Sequence, residues 1–590
     1  MLIGKCNGKV VQILDSVKEE TYTCPICGEI LIRNFGVERQ YFSHPKGKGD
    51  DCELKVKEFL NKHSDITDKD IEILDREYFK KNFDNVKVEM SDYISEEGYK
   101  LTKEQVEIIK AKEDRIKVSA LAGSSKTTTM YYYAKENPSK QTLYLVYNSA
   151  MKKEAENTFG KLSNVTVKTT HGLAYSYVGK YYRNKLTFNY TPVDVIRDLD
   201  LDWDKDQEIA VMVYTTLKEY MLSDKETIEE LDIYNDKEHE KYRPIVLELS
   251  HKLWELKKQY KNDIKVEHDF YLKLFQLSKK DLSDKFDCII LDEAQDSNLL
   301  VFDMIKNSNV KGVVFIGDKY QQMYAWRNAF NVLDIFEAKE YKLTTSFRVS
   351  QNIANISNLL IQDVVGEKIG MTGFNTRQHI VHEIDINKPY ACLSRTNSAL
   401  FQEVITAIEN GKRNLFFEGG FDSYRFNNIK DTYYFSQGDE VKNPILNKFD
   451  DYNKMVDYAE KNSDIELLSL IRMVDAYGSR IPRLVDTIKN NTCRSKDNAD
   501  VIFTTCHRSK GQTYKNVKLC NDYGSVQDFF NKIYIENIQG VDRQKLIQDF
   551  KDECYVLYVA ITRASGEIEL NNDLKNWLLL RYKFFKGNNE

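Results

Sequence analysis

A chain of 590 residues is too long for one hydrophobic core, so several domains are required. Apolar residues make up 42% and charged residues 30%, a globular balance that excludes a disordered or fibrous chain, and no stretch of about 18 apolar residues is present. The formal net charge of −6 does not advertise a nucleic-acid binder, yet it does not forbid a local cationic groove on an otherwise acidic surface.

The N-terminus MLIGKCNGKVVQ lacks the apolar run of a secretory signal, so the chain is expected to stay in the cytosol of the cell that makes it. Ten scattered cysteines argue for reduced thiols over a disulfide framework. Residues 1–60 form a segment apart, with Cys24-Pro25-Ile26-Cys27-Gly28, then His44, then Cys52. Cys24, Cys27, His44 and Cys52 are four soft or borderline ligands that suit tetrahedral zinc, and so short a segment would struggle to bury a core without metal. The run resembles the zinc-finger-like N-terminus of competence CoiA-type proteins, including Phe42-Ser43-His44. Glu53-Leu54-Lys55 has the Glu-x-Lys spacing of some nucleases, a triplet common by chance.

Residues 61–100 read as a charged connector with apolar positions spaced for one or two short helices. A helix is expected from about Leu101-Thr102-Lys103-Glu104-Gln105. Next comes an apolar strand, then Ala122-Gly123-Ser124-Ser125, then Lys126-Thr127-Thr128 opening a helix. Small residues let backbone N–H groups curl around an anion, and the helix N-terminus adds partial positive charge. Lys126 would reach the outer phosphates and the Thr127 hydroxyl would hold magnesium, as in a P-loop. Ser125 stands where that pattern has glycine; a left-handed backbone there costs a serine roughly 1–2 kcal/mol.

Further strands are expected at QTLYLVYN, NVTVKTTH, FDCIILDE and KGVVFIGD, alternating with helical patterns. That alternation predicts a parallel sheet covered on both faces, with ligands at the carboxyl ends. A mostly helical insertion is expected over 175–284, so the first core is 101–174 with 285–340. A second alternation follows, with strands near YACLSR, DVIFTTC, NVKLC and EIEL, giving a second core of 341–410 with 499–590 and a second insertion over 411–498. The fold class is therefore α/β, with two parallel-sheet cores, each carrying an inserted subdomain, plus the small N-terminal domain.

Asp292-Glu293-Ala294-Gln295-Asp296 follows the apolar strand Cys288–Leu291. Beside a P-loop such a pair divides labour, Asp292 in the magnesium shell and Glu293 activating water. With Gly317-Asp318-Lys319-Tyr320-Gln321-Gln322-Met323-Tyr324-Ala325-Trp326-Arg327, this run resembles the UvrD/Rep family of superfamily 1 DNA helicases, and most of all the F-box DNA helicase branch with its phage and bacterial relatives. Further blocks fit from about Leu101 to Leu570: Thr169-Thr170-His171-Gly172-Leu173-Ala174, His268-Asp269-Phe270-Tyr271-Leu272-Lys273, Ser346-Phe347-Arg348, Thr505-Cys506-His507-Arg508-Ser509-Lys510-Gly511 and Tyr558-Val559-Ala560-Ile561-Thr562-Arg563.

The resemblance implies two RecA-like cores with ATP and magnesium held between them. It assigns Gln105 to adenine, Gln321 to phosphate sensing, and Arg348 and Arg563 to the nucleotide. Thr169, His171, Tyr324, Trp326, Arg327 and His507 fall to single-stranded DNA, bases stacking on the aromatic rings. The implied activity is an ATP-dependent helicase or translocase moving 3′-to-5′ on single-stranded DNA, in replication, recombination or repair, associated with the nucleoid when on DNA. A nucleotide-gated DNA-binding or remodelling ATPase without unwinding is the alternative, and a metal-dependent nuclease a third. Ser125 and Gln512-Thr513, the latter in place of the usual Leu-Glu, depart from the family pattern around ATP, and slow turnover or relaxed nucleotide choice is the expected consequence.

Overall fold

The computed structural model describes residues 88–586, save 96–97, 189, 203–204, 232–238, 324–330, 444, 462–464, 531 and 533–539, together with five strands near the N-terminus. Those strands are β1 (Ile3–Cys6), β2 (Lys9–Gln12), β3 (Tyr22–Thr23), β4 (Ile30–Phe35) and β5 (Gln40–Ser43), an antiparallel sheet in the order β2-β1-β3-β4-β5. The expected zinc ligands Cys24, Cys27, His44 and Cys52 lie outside the described residues. The chain divides into two compact units, Val88–Thr345 and Met1–Lys87 with Ser346–Glu590.

The unit Val88–Thr345 opens on a hairpin of β6 (Met90–Ile94) and β7 (Lys100–Thr102), where helices were expected. Six parallel strands follow: β8 (Arg115–Ala120), β9 (Thr142–Val146), β10 (Val165–Thr169), β11 (Cys288–Leu291), β12 (Gly312–Gly317) and β13 (Lys339–Leu343), ordered β10-β9-β11-β12-β8-β13. The edge strand β13 carries this sheet to Leu343, past the boundary expected at 340.

Successive residues of a strand point to opposite faces, and the cores obey that rule. Leu143, Leu145, Ile289, Leu291, Val313 and Phe315 enter one cluster, with Leu173, Phe275 and Leu300 from the helices over that face. Tyr144, Val146, Cys288, Ile290, Val314 and Ile316 enter the other, with Ile108, Met130 and Phe159. Both faces being buried explains why β9, β11 and β12 read as unbroken apolar runs. The inserted helices Pro192–Leu199, Gln207–Leu222, Arg243–Lys258 and His268–Leu277 enclose a core of their own around Val213, Tyr220, Trp254 and Phe270.

In the other unit, β14 (Thr345–Ser346) pairs with β15 (Thr372–Gly373). A second parallel sheet comprises β16 (His379–Val381), β17 (Tyr390–Ser394), β18 (Leu415–Phe417), β19 (Val501–Thr505), β20 (Val517–Leu519) and β21 (Glu567–Glu569), ordered β16-β21-β20-β17-β19-β18. β18 pairs with β19 at Leu415↔Val501, so it is a core strand, and the helical insertion begins after it instead of at 411. Among the described residues the cysteines are free thiols, and no helix is long and apolar enough to cross a membrane.

Candidate active site at the strand ends

The carboxyl end of β8 runs into Leu121–Ser125, which turns back over the start of the helix Lys126–Lys135. Two left-handed residues make that turn, Gly123 at φ +73° and Ser125 at φ +59°. Glycine takes this backbone freely and serine does not. The departure at Ser125 is therefore a strained one. Replacing Ser125 by glycine removes roughly 1–2 kcal/mol of strain and returns roughly 0.4–1 kcal/mol as unfolded-chain entropy. The expected result is a higher denaturation midpoint with a faster turnover, read by urea titration and an ATPase assay. A lowered midpoint and an unchanged rate would clear the loop of responsibility for slow turnover.

Ser124 is buried in the same loop, and its hydroxyl has no hydrogen-bond partner. A buried hydroxyl left this way costs free energy unless a ligand meets it, and a phosphate oxygen is a fitting acceptor. Lys126 Nζ donates to Glu293 Oε1 at 2.9 Å, both side chains only 13–14% exposed. Burial works against the lysine's charge, but Glu293, Asp292 and Asp318 together hold it above the ordinary lysine value. Three carboxylates around one ammonium leave a net negative site. Hard oxygen donors in that balance, the Thr127 hydroxyl and the Asp292 carboxylate, fit a magnesium ion.

Asp292 and Glu293 leave β11 at a sharp turn, Glu293 at φ +51°. The turn is tied by the Glu293 N–H, which donates to Asp292 Oδ1 at 2.9 Å. Burial, followed by the charge of Glu293, pushes Asp292 up to about 6 against the pull of Lys126 and a hydrogen bond from Tyr144. The Tyr144 hydroxyl donates to Asp292 Oδ2 at 2.7 Å, and burial raises its own pKa so that it keeps its proton.

The second oxygen of Glu293 is held by Gln295, whose Nε2 donates to Oε2 at 2.5 Å. The other end of Gln295 accepts the backbone N–H of Asp318 at 3.0 Å. A Cβ at Gly317 would stand 2.2 Å from Gln295 Oε1, so only glycine fits beside this link. Asp318 Oδ2 in turn accepts from Gln321 Nε2 at 2.8 Å. A buried polar chain thus joins Lys126, Glu293, Gln295, Asp318 and Gln321, three strand ends in one hydrogen-bonded array.

Gln105 sits apart from this array. It closes a capping box with Thr102, its Oε1 accepting the Thr102 N–H at 3.0 Å, and its Nε2 donates to Thr129 Oγ1 at 3.2 Å. At 2% exposure the side chain serves the start of the helix Lys103–Ile109 and anchors it to the helix Lys126–Lys135. Thr169 caps the helix Thr170–Tyr177 by accepting from the Gly172 N–H at 2.9 Å. His171, on that helix, meets Asp269 at 3.0 Å, which brings the Thr-Thr-His and His-Asp-Phe-Tyr runs together across the insertion. Tyr324, Trp326 and Arg327 lie outside the described residues.

In the other unit, Arg348 and Arg563 converge on one residue. Arg348 Nη1 donates to the Thr562 carbonyl at 3.4 Å. Arg563 is 1% exposed, and its guanidinium donates to the carbonyls of Val559 at 2.9 Å and Gln512 at 3.2 Å and to Thr562 Oγ1 at 3.1 Å. The contact at Gln512 is to its backbone carbonyl, which any residue at that position would present. His507 is half-buried on the short helix Cys506–Ser509. A separate cluster of Cys392, Glu403 and Cys520 has metal-ligand spacing, but Lys518 Nζ, 2.9 Å from Glu403, already supplies the positive charge there.

Residues 101–340, which hold the whole Lys126 to Gln321 array, match the family of the UvrD/REP helicase N-terminal domain. Similarity extends beyond it. F-box DNA helicase 1 of Gallus gallus is 28% identical over 520 residues, 82% of this chain and 50% of that protein. F-box DNA helicase protein 1 of Schizosaccharomyces pombe is 26% identical over 526 residues, 80% of this chain and 58% of that one. ATP-dependent DNA helicase PcrA of Staphylococcus aureus is 29% identical over 140 residues, 22% of this chain and 18% of PcrA. The chain thus spans about half the length of the F-box helicases it matches. Motif spacing singled out Lys126, Thr127, Asp292, Glu293 and Gln321, of which Lys126, Glu293 and Gln321 join one hydrogen-bonded array, whereas the partners Tyr144 and Gln295 emerge only from the packing.

Proposed function

We propose that the chain is an ATP-dependent DNA helicase or translocase that moves on single-stranded DNA, in the 3′-to-5′ direction that the resemblance to the UvrD/Rep family implies. The observation that carries this reading is the buried array from Lys126 through Glu293 and Gln295 to Asp318 and Gln321, within a UvrD/REP helicase N-terminal domain. Ala122, Gly123, Ser124, Ser125 and Thr128 line the phosphates, and Thr127 with Asp292 holds magnesium, which neutralises phosphate charge when bound. Arg348 and Arg563 supply positive charge to the hydrolysis cycle.

The resting contacts suggest how nucleotide starts that cycle. Lys126 spends its charge on Glu293, so an arriving triphosphate competes for the ammonium and releases Glu293 Oε1 to accept a proton from water. Gln295 keeps Glu293 Oε2 in place during the exchange and transmits its position to Asp318 and Gln321. The segment after Gln321 carries Tyr324, Trp326 and Arg327, which with Thr169, His171 and His507 we assign to the DNA strand. Gln105 contacts adenine only by giving up its cap. The N-terminal segment holds zinc through Cys24, Cys27, His44 and Cys52 and offers a surface for DNA or a protein partner. The pathway served is replication, recombination or repair. The experiment is ATP turnover with and without single-stranded DNA, expected to rise at least about tenfold with DNA; an equal rate in both overturns the motor.

A further inference from the structure

Tyr144 is the largest polar side chain buried in the middle of the first sheet. It lies on β9 between β10 and β11, opposite Val167 and Ile290, with no exposed surface. Its ring packs on Phe159 with centroids 4.4 Å apart. Packing alone does not call for the hydroxyl, since a phenylalanine would fill the same space without a polar atom to satisfy. The hydroxyl extends to the strand ends, where it donates to Asp292 Oδ2 at 2.7 Å. It therefore stands against one of the oxygen groups assigned above to the magnesium ion, the Asp292 carboxylate after β11.

We propose that Tyr144 is a positioning residue for the divalent cation, its hydroxyl fixing the Asp292 carboxylate in one orientation. This rests on the nucleotide-site reading. Asp292 has one oxygen tied to the Glu293 N–H and the other to Tyr144, so the carboxylate has a single defined orientation. A small hard cation demands near-octahedral geometry and tolerates little ligand wandering. Partners that orient ligands typically contribute about 10- to 100-fold in metal affinity.

Tyr144→Phe removes the hydroxyl and keeps the ring. The test titrates Mn²⁺ into the full chain with ADP present, following free Mn²⁺ by electron paramagnetic resonance, and separately measures fluorescent ADP binding in EDTA. Asp292→Asn serves as the reference for loss of the cation ligand itself. The expected result is Mn²⁺ affinity lowered about 10- to 100-fold, metal-free ADP affinity unchanged, and turnover restored by raising Mg²⁺. Wild-type Mn²⁺ affinity in Tyr144→Phe, with Asp292→Asn impaired, overturns the role. A parallel loss of metal-free ADP binding and of the melting temperature also overturns it, by showing that the hydroxyl serves packing. A wild-type protein that binds no nucleotide removes the site reading and this inference together, and so is distinguishable from either.

Discussion

Lys126→Ala is expected to stop ATP turnover, with a fall on the order of 10² to 10³ or more, the scale seen when a single preorganised charge-stabilising donor is removed. The expectation comes from how much converges on this one ammonium. It carries the positive charge that Glu293, Asp292 and Asp318 face, and between them they raise its pKa. Without it, the site meets a polyanionic triphosphate with uncompensated carboxylates, so nucleotide affinity falls along with the rate. Breaking a buried ion pair by removing one partner also costs stability, up to roughly 3–5 kcal/mol before discounting for the residual exposure of this pair. A melting curve therefore accompanies the assay. Single-stranded DNA binding in the absence of nucleotide is expected to survive, which separates a folded, inactive protein from an unfolded one. Strand displacement from a partial duplex is expected to vanish, and displacement that persisted would remove Lys126 from the machinery.

Glu293→Gln is expected to give the opposite pattern of binding. The amide keeps the shape but cannot take a proton, so turnover falls on the order of 10² to 10⁴, the range for loss of a general base. Nucleotide affinity is expected to hold or rise, because one negative charge facing the phosphates is gone and Lys126 is no longer engaged by a carboxylate. Equilibrium binding of a fluorescent ATP analogue beside single-turnover hydrolysis separates the two quantities. A variant that turns over at the wild-type rate would pass the base role to another group. Asp292 stays in the same array with its Tyr144 partner intact, so it is the internal comparison.

Much of this site is legible in the sequence itself. The order strand, small-residue loop, Lys-Thr and helix is local, and the structure puts the helix start at Lys126 as that order predicts. Parallel strands buried on both faces announce themselves as unbroken apolar runs, which is why β9, β11 and β12 were found within a residue or two of their ends. The misses share a physical cause, contact between residues far apart in sequence. Leu415–Phe417 is too short to signal a strand by itself and is fixed by pairing with Val501–Phe503. The hairpin at Met90–Thr102 carries enough charge to resemble a solvated helix. Gln105 reads as a ligand contact by motif, yet its first commitments are to Thr102 and Thr129. Tyr144 reads as another core aromatic, and nothing within β9 shows that its hydroxyl meets Asp292, 148 residues on.

The strain at Ser125 was foreseeable only as a condition, because sequence does not say which loop residue turns left-handed. The structure supplies the answer in one angle. The same holds for Gly317, an unremarkable strand-end glycine until Gln295 is placed against it.

The central claim is that splitting a triphosphate at Lys126 and Glu293 drives movement along a nucleic-acid strand. ATP turnover by the full chain, measured side by side with no DNA, single-stranded DNA, forked DNA and blunt duplex, tests it most directly. The account predicts a rate that climbs and saturates with single-stranded or forked DNA, responds weakly to blunt duplex, and is lost in Lys126→Ala. A rate indifferent to every DNA, or one that Lys126→Ala leaves intact, would contradict it.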